Sequence, residues 1–153
     1  MKSESFMKLE IASLPDNVGV ARVAIASFAS QLDFTLSEVD EIKVAVSEAV
    51  TNAVIHGYRD CPGLVRITAV ARGDELEVTV EDEGSGIPDV EAARQPSFST
   101  DPDRMGLGFV FMESFMDELE VASRPGEGTR VRMVKRPQTM PGSSSVASAG
   151  QAG

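Results

Sequence analysis

The chain is 153 residues long and 42% hydrophobic, enough to bury one core and too short for a second domain of ordinary size. Its 14 Lys and Arg stand against 24 Asp and Glu, a formal net charge of -10 that repels phosphate backbones and anionic lipid surfaces at long range. A direct nucleic-acid or membrane role is therefore disfavoured; MKSESFMKLE lacks an apolar leader, no apolar run reaches bilayer length, and a cytoplasmic location is expected.

Residues Phe6 to Ala12 alternate in the manner of a strand. Leu14-Pro15-Asp16 ends that run, and Ser13 or Asp16 is placed to cap a helix reaching about Gln31. Arg22 sits on this helix among apolar neighbours, as a snorkelling surface arginine also would. Thr35 with Glu38 three residues later forms a capping-box pattern, and the amphipathic run it opens continues to His56-Gly57, where glycine is the expected stop. The one cysteine, Cys61, falls in a turn beside Pro62-Gly63 and receives no role.

Leu64 to Ala71 and Leu76 to Asp82 read as a hairpin through Arg72-Gly73-Asp74-Glu75. Glycine and proline punctuate Glu83 to Met105, after which the apolar Leu107 to Met116 looks helical. Leu119 to Arg124 and Gly128 to Lys135 form a second hairpin around Pro125-Gly126-Glu127. Strands grouped with helices to one side predict an α/β sandwich of two layers. From Pro137 onward the small, polar residues carry too little apolar surface to offset ordering entropy, so a domain of residues 1–136 and a disordered tail of 137–153 are expected.

On the long helix Glu48, Asn52 and His56 recur every four residues and drift by roughly 40° per step, making one stripe. Val39, Ile42, Val46, Val50 and Ala53 form the core face, and Asp40, Lys43, Ser47 and Thr51 the solvent face. Glu48 and Asn52 belong to neither: they fall between Val44 with Ile55 on one side and Ala45 with Ala49 on the other. A carboxylate and an amide in apolar surroundings need partners, which either a structural network or a cleft holding ligand supplies. Asp82 ends a strand, with Gly84 and Gly86 at alternate positions after it; a flat ligand can lie against such a turn while the carboxylate takes an amine. Gly106 and Gly108 precede the apolar helix, whose open N–H groups suit phosphate, and Arg104 stands just before them. No GxxxxGK[ST] is present, so a P-loop is excluded. GEGTRV, with Thr129, reads by itself as a hairpin turn.

The order of these elements, ExxxN on a helix, DxGxGI after a strand, a lid, GxG before a helix and GTxV, resembles the GHKL nucleotide-binding superfamily. SEAVTNAVIHGY, DEGSGIPDVEAARQP and GLGFVFMESFMDELEV are similar to the anti-sigma-F serine kinases of sporulating bacteria, from about Met7 to Lys135. The resemblance implies a Bergerat fold with a mixed, mostly antiparallel sheet covered on one face by helices, and binding of ATP or ADP with Mg2+. It implies that Asn52 ligates the metal, Glu48 is the base toward an acceptor hydroxyl, and Arg104 contacts the γ-phosphate. Asp82 would take the adenine amine, with Gly84, Gly86, Ile87, Thr129 and His56 around the nucleotide. Gly106, Leu107 and Gly108 would hold the phosphates under a lid of about Gln95 to Met105. The implied partners are a sigma factor of the sigma-F type, an anti-anti-sigma protein phosphorylated on serine, and a second copy in a homodimer, with Arg22 contacting the protein partners. Two alternatives stay open: the related kinases of general-stress, sigma-B type systems, and a nucleotide-gated binding protein without kinase activity.

Overall fold

The computed structural model describes residues 4–58, 62–94 and 105–138. Cys61, Arg104, the lid positions 95–104 and the tail positions 139–153 lie outside the described residues. In chain order the elements are β1 (Ser5–Ala12), α1 (Asp16–Ala29), α2 (Leu36–Asn52), a π-helical turn (Ala53–Gly57), β2 (Leu64–Arg72), β3 (Glu75–Asp82), α3 (Val90–Ala93), α4 (Met105–Phe115), β4 (Glu118–Arg124) and β5 (Gly128–Lys135).

The strands pair in the order β1-β2-β3-β5-β4, and each adjacent pair is antiparallel. The sheet expected to be mixed is thus antiparallel in all its described ladders. The α3–α4 segment carries the chain from β3 to the far edge, where β4 forms, and β5 turns back into the gap. Period-two alternation then decides the layers. Val65, Ile67, Leu76, Val78, Val80 and Met133 turn to the helices and are buried, each contributing about 1.5–3 kcal/mol by leaving water. The opposite face carries ion pairs: Arg132 reaches Glu77, Glu118 and Glu120, and Arg136 reaches Glu75 and Glu118. Such a face cannot seat a second apolar layer, which is why the helices cover one side only.

Helix α2 packs between α1 and α4. Its start is the capping box read from sequence: the Glu38 N–H donates to Thr35 Oγ1 at 3.1 Å, and the Thr35 N–H donates to Glu38 Oε1 at 2.8 Å. The other oxygen of Glu38 accepts from the Gln138 N–H at 2.7 Å, so the chain leaving β5 is fastened to the first turn of α2. Lys135, buried at the end of β5, donates to the Phe115 carbonyl at 2.5 Å and pairs with Glu41 at 3.1 Å. A cation at the last carbonyl of α4 favours the negative end of that helix.

Three local readings are corrected. Neither Ser13 nor Asp16 caps α1: Ser13 Oγ accepts from the Gly63 N–H at 2.8 Å, stitching β1 to β2, and Asp16 is the first helical residue. Gly57 does not end α2 as a left-handed stop; the helix widens into the π turn instead, and Gly57 has a packing role described below. Val44 and Ile55 do not wall the Glu48–Asn52 stripe, being 38% and 42% exposed. A helical wheel gives two flanks for the stripe and cannot say which one meets α4. Among the described residues, no helix is long and apolar enough to cross a membrane.

Candidate functional site

Strand register places Asp82 of β3 opposite Thr129 of β5, and Thr129 opposite Ser123 of β4, so the three form one inward-facing row. One row further in, Val80 and Val131 make an apolar floor. The C-terminal end of α2 and the π turn roof this region with Ala49, Asn52, Ala53, His56 and Gly57, and Ile87 and Phe109 close the sides. The result is a narrow cleft with an apolar floor and a polar end wall. Small-molecule sites are built in this way, largely apolar with a few placed polar groups.

The Asp82 side of the wall depends on glycines at backbone crossings. A Cβ on Gly57 would stand 2.9 Å from Asp82 Cγ, so the carboxylate rests against the Gly57 Cα. A Cβ on Gly84 would stand 1.7 Å from the Gly57 carbonyl oxygen, and one on Gly128 would stand 2.1 Å from the Asp82 carbonyl oxygen. Gly86, with φ +77°, passes the Arg124 carbonyl just as closely. These glycines let the π turn, the loop after β3 and the β4–β5 turn interpenetrate. The loop in turn satisfies the end of the π turn, since Ser85 donates its N–H to the Gly57 carbonyl at 2.7 Å and its Oγ–H to the His56 carbonyl at 2.9 Å. Tyr58 joins the same knot: its hydroxyl accepts from the Glu83 N–H at 2.7 Å and donates to the Leu64 carbonyl at 2.8 Å.

Asp82 is 8% exposed. Burial pushes its carboxyl above the usual aspartate range, while the N–H groups of Gly84 (2.9 Å) and Thr129 pull it partly back. Its acceptor capacity faces a cleft where a ligand donor would complete it. Asn52 Nδ2 is buried and has no hydrogen-bond partner among the described residues. A native protein rarely leaves such an atom unmatched, and it points to something the cleft is built to receive.

Glu48, half-buried, lies one turn before Asn52, on the side where α4 begins. A Cβ on Gly108 would meet Glu48 Oε1 at 2.9 Å and Asn52 Nδ2 at 3.6 Å, so this glycine leaves room for both side chains. Gly106, Leu107 and Gly108 do not precede α4 as expected; they occupy its first turn, where backbone N–H groups have no intrahelical acceptor. They do not line the cleft but adjoin it through Gly108, and Leu107 is exposed. His56, Asp82, Gly86, Ile87 and Thr129 line the cleft with Asn52, whereas Gly84 is used in the crossing at Gly57.

Arg22 is apart from the cleft. Its Nη1 donates to Ser47 Oγ at 3.4 Å, and with Asp40, Lys43, Val44 and Glu48 it lines an open groove between α1 and α2. Glu48 therefore faces both this groove and the first turn of α4. The residues that sequence reasoning missed are Gly57, Ser85, Ser123, Tyr58 and Gly128. Ser123 had a usable signal, since a hairpin turning at Pro125-Gly126-Glu127 pairs it with Thr129. Among the described residues, no cluster of three or more His, Cys, Asp or Glu could hold a metal by itself.

Residues 11–135 match the family described as the histidine kinase-like ATPase domain. The chain is 49% identical over 137 residues to the anti-sigma F factor of Thermoanaerobacter sp. (strain X514), covering 88% of this chain and 96% of that one. It is 49% identical over 138 residues to the anti-sigma F factor of Bacillus subtilis (strain 168), covering 88% and 93%. Among solved structures, a histidine kinase domain of the Erythrobacter litoralis EL346 blue-light activated kinase is similar with a TM-score of 0.53 and 26% identity, over 78% of this chain and 60% of that chain. A Mycobacterium tuberculosis protein with RsbU and RsbW domains shares the fold with a TM-score of 0.61 at 21% identity, over 85% of this chain and 32% of that chain. The chain belongs to the histidine kinase-like ATPase family and, within it, to the anti-sigma F factors, which makes it an anti-sigma factor with an ATP-binding domain.

Proposed function

We propose that the chain, in its ATP-bound state, holds a sigma factor of the sigma-F type away from RNA polymerase, and that it transfers the γ-phosphoryl group of ATP to a serine of an anti-anti-sigma protein. It acts as a cytoplasmic homodimer with residues 1–136 as the working unit. The near full-length likeness to anti-sigma F factors supports the sigma-F assignment over a general-stress one. The observation that carries the nucleotide reading is the buried Nδ2 of Asn52, without a hydrogen-bond partner among the described residues, in a cleft whose far wall is the Asp82 carboxylate.

Adenine would lie between Gly86 and the apolar floor, once the narrow cleft opens to admit it, with its amine donating to Asp82. The triphosphate then runs past Asn52 to the first turn of α4, whose N–H groups and positive dipole end stabilise anionic oxygens. Arg104 would meet the γ-phosphate. Mg2+ suits a site with few protein ligands, because it keeps waters and phosphate oxygens around it. Asn52 fits as its protein ligand, since amide O and N are exchanged by rotation and the orphaned position is one an oxygen can occupy. Bound there, the ion would neutralise charge on the phosphates. Glu48, open to the groove beside Arg22, accepts the proton of an incoming serine hydroxyl, and Arg22 holds the protein that brings it.

A positioned base typically adds ~10²–10⁴-fold to such a step. Incubation with labelled ATP, Mg2+ and an anti-anti-sigma protein is expected to label a serine, with Glu48→Gln retaining ATP binding and losing most of the labelling. An unchanged transfer rate in Glu48→Gln removes Glu48 from the chemistry. ATP-dependent sigma binding with no serine labelled at all favours the binding protein without kinase activity.

A further inference from the structure

Ser123 Oγ makes three polar contacts: the Ile87 N–H at 2.7 Å, the Gly128 carbonyl at 2.9 Å and Thr129 Oγ1 at 2.8 Å. An amide N–H can only donate and a carbonyl can only accept. Ser123 has one hydroxyl proton, and its contact with the Gly128 carbonyl is a hydrogen bond only when that proton is spent there. The third contact is then a hydrogen bond only if the Thr129 hydroxyl is the donor. Thr129 faces the cleft with its proton already directed away, presenting lone pairs alone beside the Asp82 carboxylate.

We infer that Ser123, which lines no part of the cleft, is a specificity-determining positioning residue: it fixes the Thr129 hydroxyl as an acceptor, so the polar wall takes a ligand amine and rejects a carbonyl in its place. The inference rests on the reading that this wall faces the purine 6-position. A 6-amino purine offers two N–H donors to two acceptors. A 6-oxo purine would set its oxygen against lone pairs on both the Asp82 carboxylate and Thr129, and the Thr129 hydroxyl, held by Ser123, could not turn its proton toward it. Ser123 also holds the Ile87 N–H, tying the cleft's side wall to the same hydroxyl.

The test compares ATP with inosine triphosphate, which carries a 6-oxo group, by competition for a fluorescent adenine nucleotide. In wild type ATP is expected to win by about a hundredfold, the scale of one hydrogen bond to a charged group. In Ser123→Ala the Thr129 proton is released toward the cleft, and the preference is expected to drop at least about fivefold, the scale of one hydrogen bond. Ser123→Thr keeps a hydroxyl and should restore the preference. Adding Thr129→Val to Ser123→Ala should remove the gain in inosine triphosphate binding, because the proton that made it is gone. If Ser123→Ala does not fold, Ser123→Cys serves, a thiol being a poor acceptor for the Thr129 proton. Equal weakening of both nucleotides in the folded variant, with the ratio unchanged, is what a merely structural role gives and overturns the inference. A wild type that binds the two equally, or whose preference survives Asp82→Asn, overturns the adenine reading and this inference with it.

Discussion

Gly108→Ala separates the stability of α4 from the geometry of the Glu48 site. The added Cβ would stand 2.9 Å from Glu48 Oε1 and 3.6 Å from Glu48 Cβ and Asn52 Nδ2. The last two are ordinary contacts, so the one conflict is with a carboxylate tip, which must withdraw by about 0.5 Å to reach a normal separation. Rotating Glu48 away costs about 0.5–1.5 kcal/mol if the side chain leaves its rotamer. Against this, alanine in place of glycine favours a helix by roughly 0.8–1 kcal/mol, less in a first turn. The two nearly cancel, and the melting temperature is expected to move by no more than about 4 °C in a domain of this size. Phosphoryl transfer has no such compensation, since displacing a reacting group by around 1 Å can cost 10²-fold. Thermal unfolding, fluorescent-nucleotide binding and serine labelling on the same preparation should show near-normal stability and binding with transfer down about 10–100-fold. Full transfer by a folded Gly108→Ala protein would refute the argument that Glu48 works from the space this glycine leaves.

Asp82→Asn should raise the melting temperature of the nucleotide-free protein at neutral pH while weakening ATP binding. Burial raises the folded carboxyl above its unfolded value, so its ionised form opposes folding at neutral pH, and that penalty fades as pH falls through the raised pKa. The stability gap between wild type and Asp82→Asn should narrow in that acid window, where wild-type ATP affinity also drops; a pH-independent gap contradicts this. Gly84→Ala places a Cβ 1.7 Å from the Gly57 carbonyl oxygen, a backbone atom, and should cost more than about 4 kcal/mol or abolish folding. Urea midpoints within about 1 kcal/mol of wild type would show that the loop has another place to sit. Lys135→Met leaves the Phe115 carbonyl without its donor and lets the part-exposed Glu41 return to water, so about 1–2 kcal/mol of stability should be lost. A loss above about 4 kcal/mol in urea unfolding would mean that Lys135 holds more than these two contacts.

What could be read from the chain was what is local. The Thr35–Glu38 box, the strand alternation and the turn at Gly73 each depend on residues within a few positions, and each formed where expected. The stripe of Glu48 and Asn52 was legible for the same reason, but its surroundings were not. Val44 and Ile55 are equivalent to Ala45 and Ala49 on a wheel, and only the docking of α4 decides which flank is covered. The π turn had no local signature: Gly57 is glycine because the Asp82 carboxylate, 25 residues away in sequence, rests on its Cα. The glycines after Asp82 suggest room for a ligand, whereas the crossings they make are mostly with protein backbone. Ser13 has the local pattern of a cap, but the Gly63 N–H, on another strand's approach, donates to its hydroxyl instead.

Titration calorimetry of ATP with Mg2+ into wild type and into Asp82→Asn, each shown folded by thermal unfolding, bears most directly on the cleft. Wild type should take up one nucleotide per chain with saturation, and Asp82→Asn should bind at least about tenfold more weakly, as loss of a buried charge-assisted hydrogen bond requires. No heat of binding from folded wild type, or equal affinity in the two proteins, would contradict an adenine site walled by Asp82.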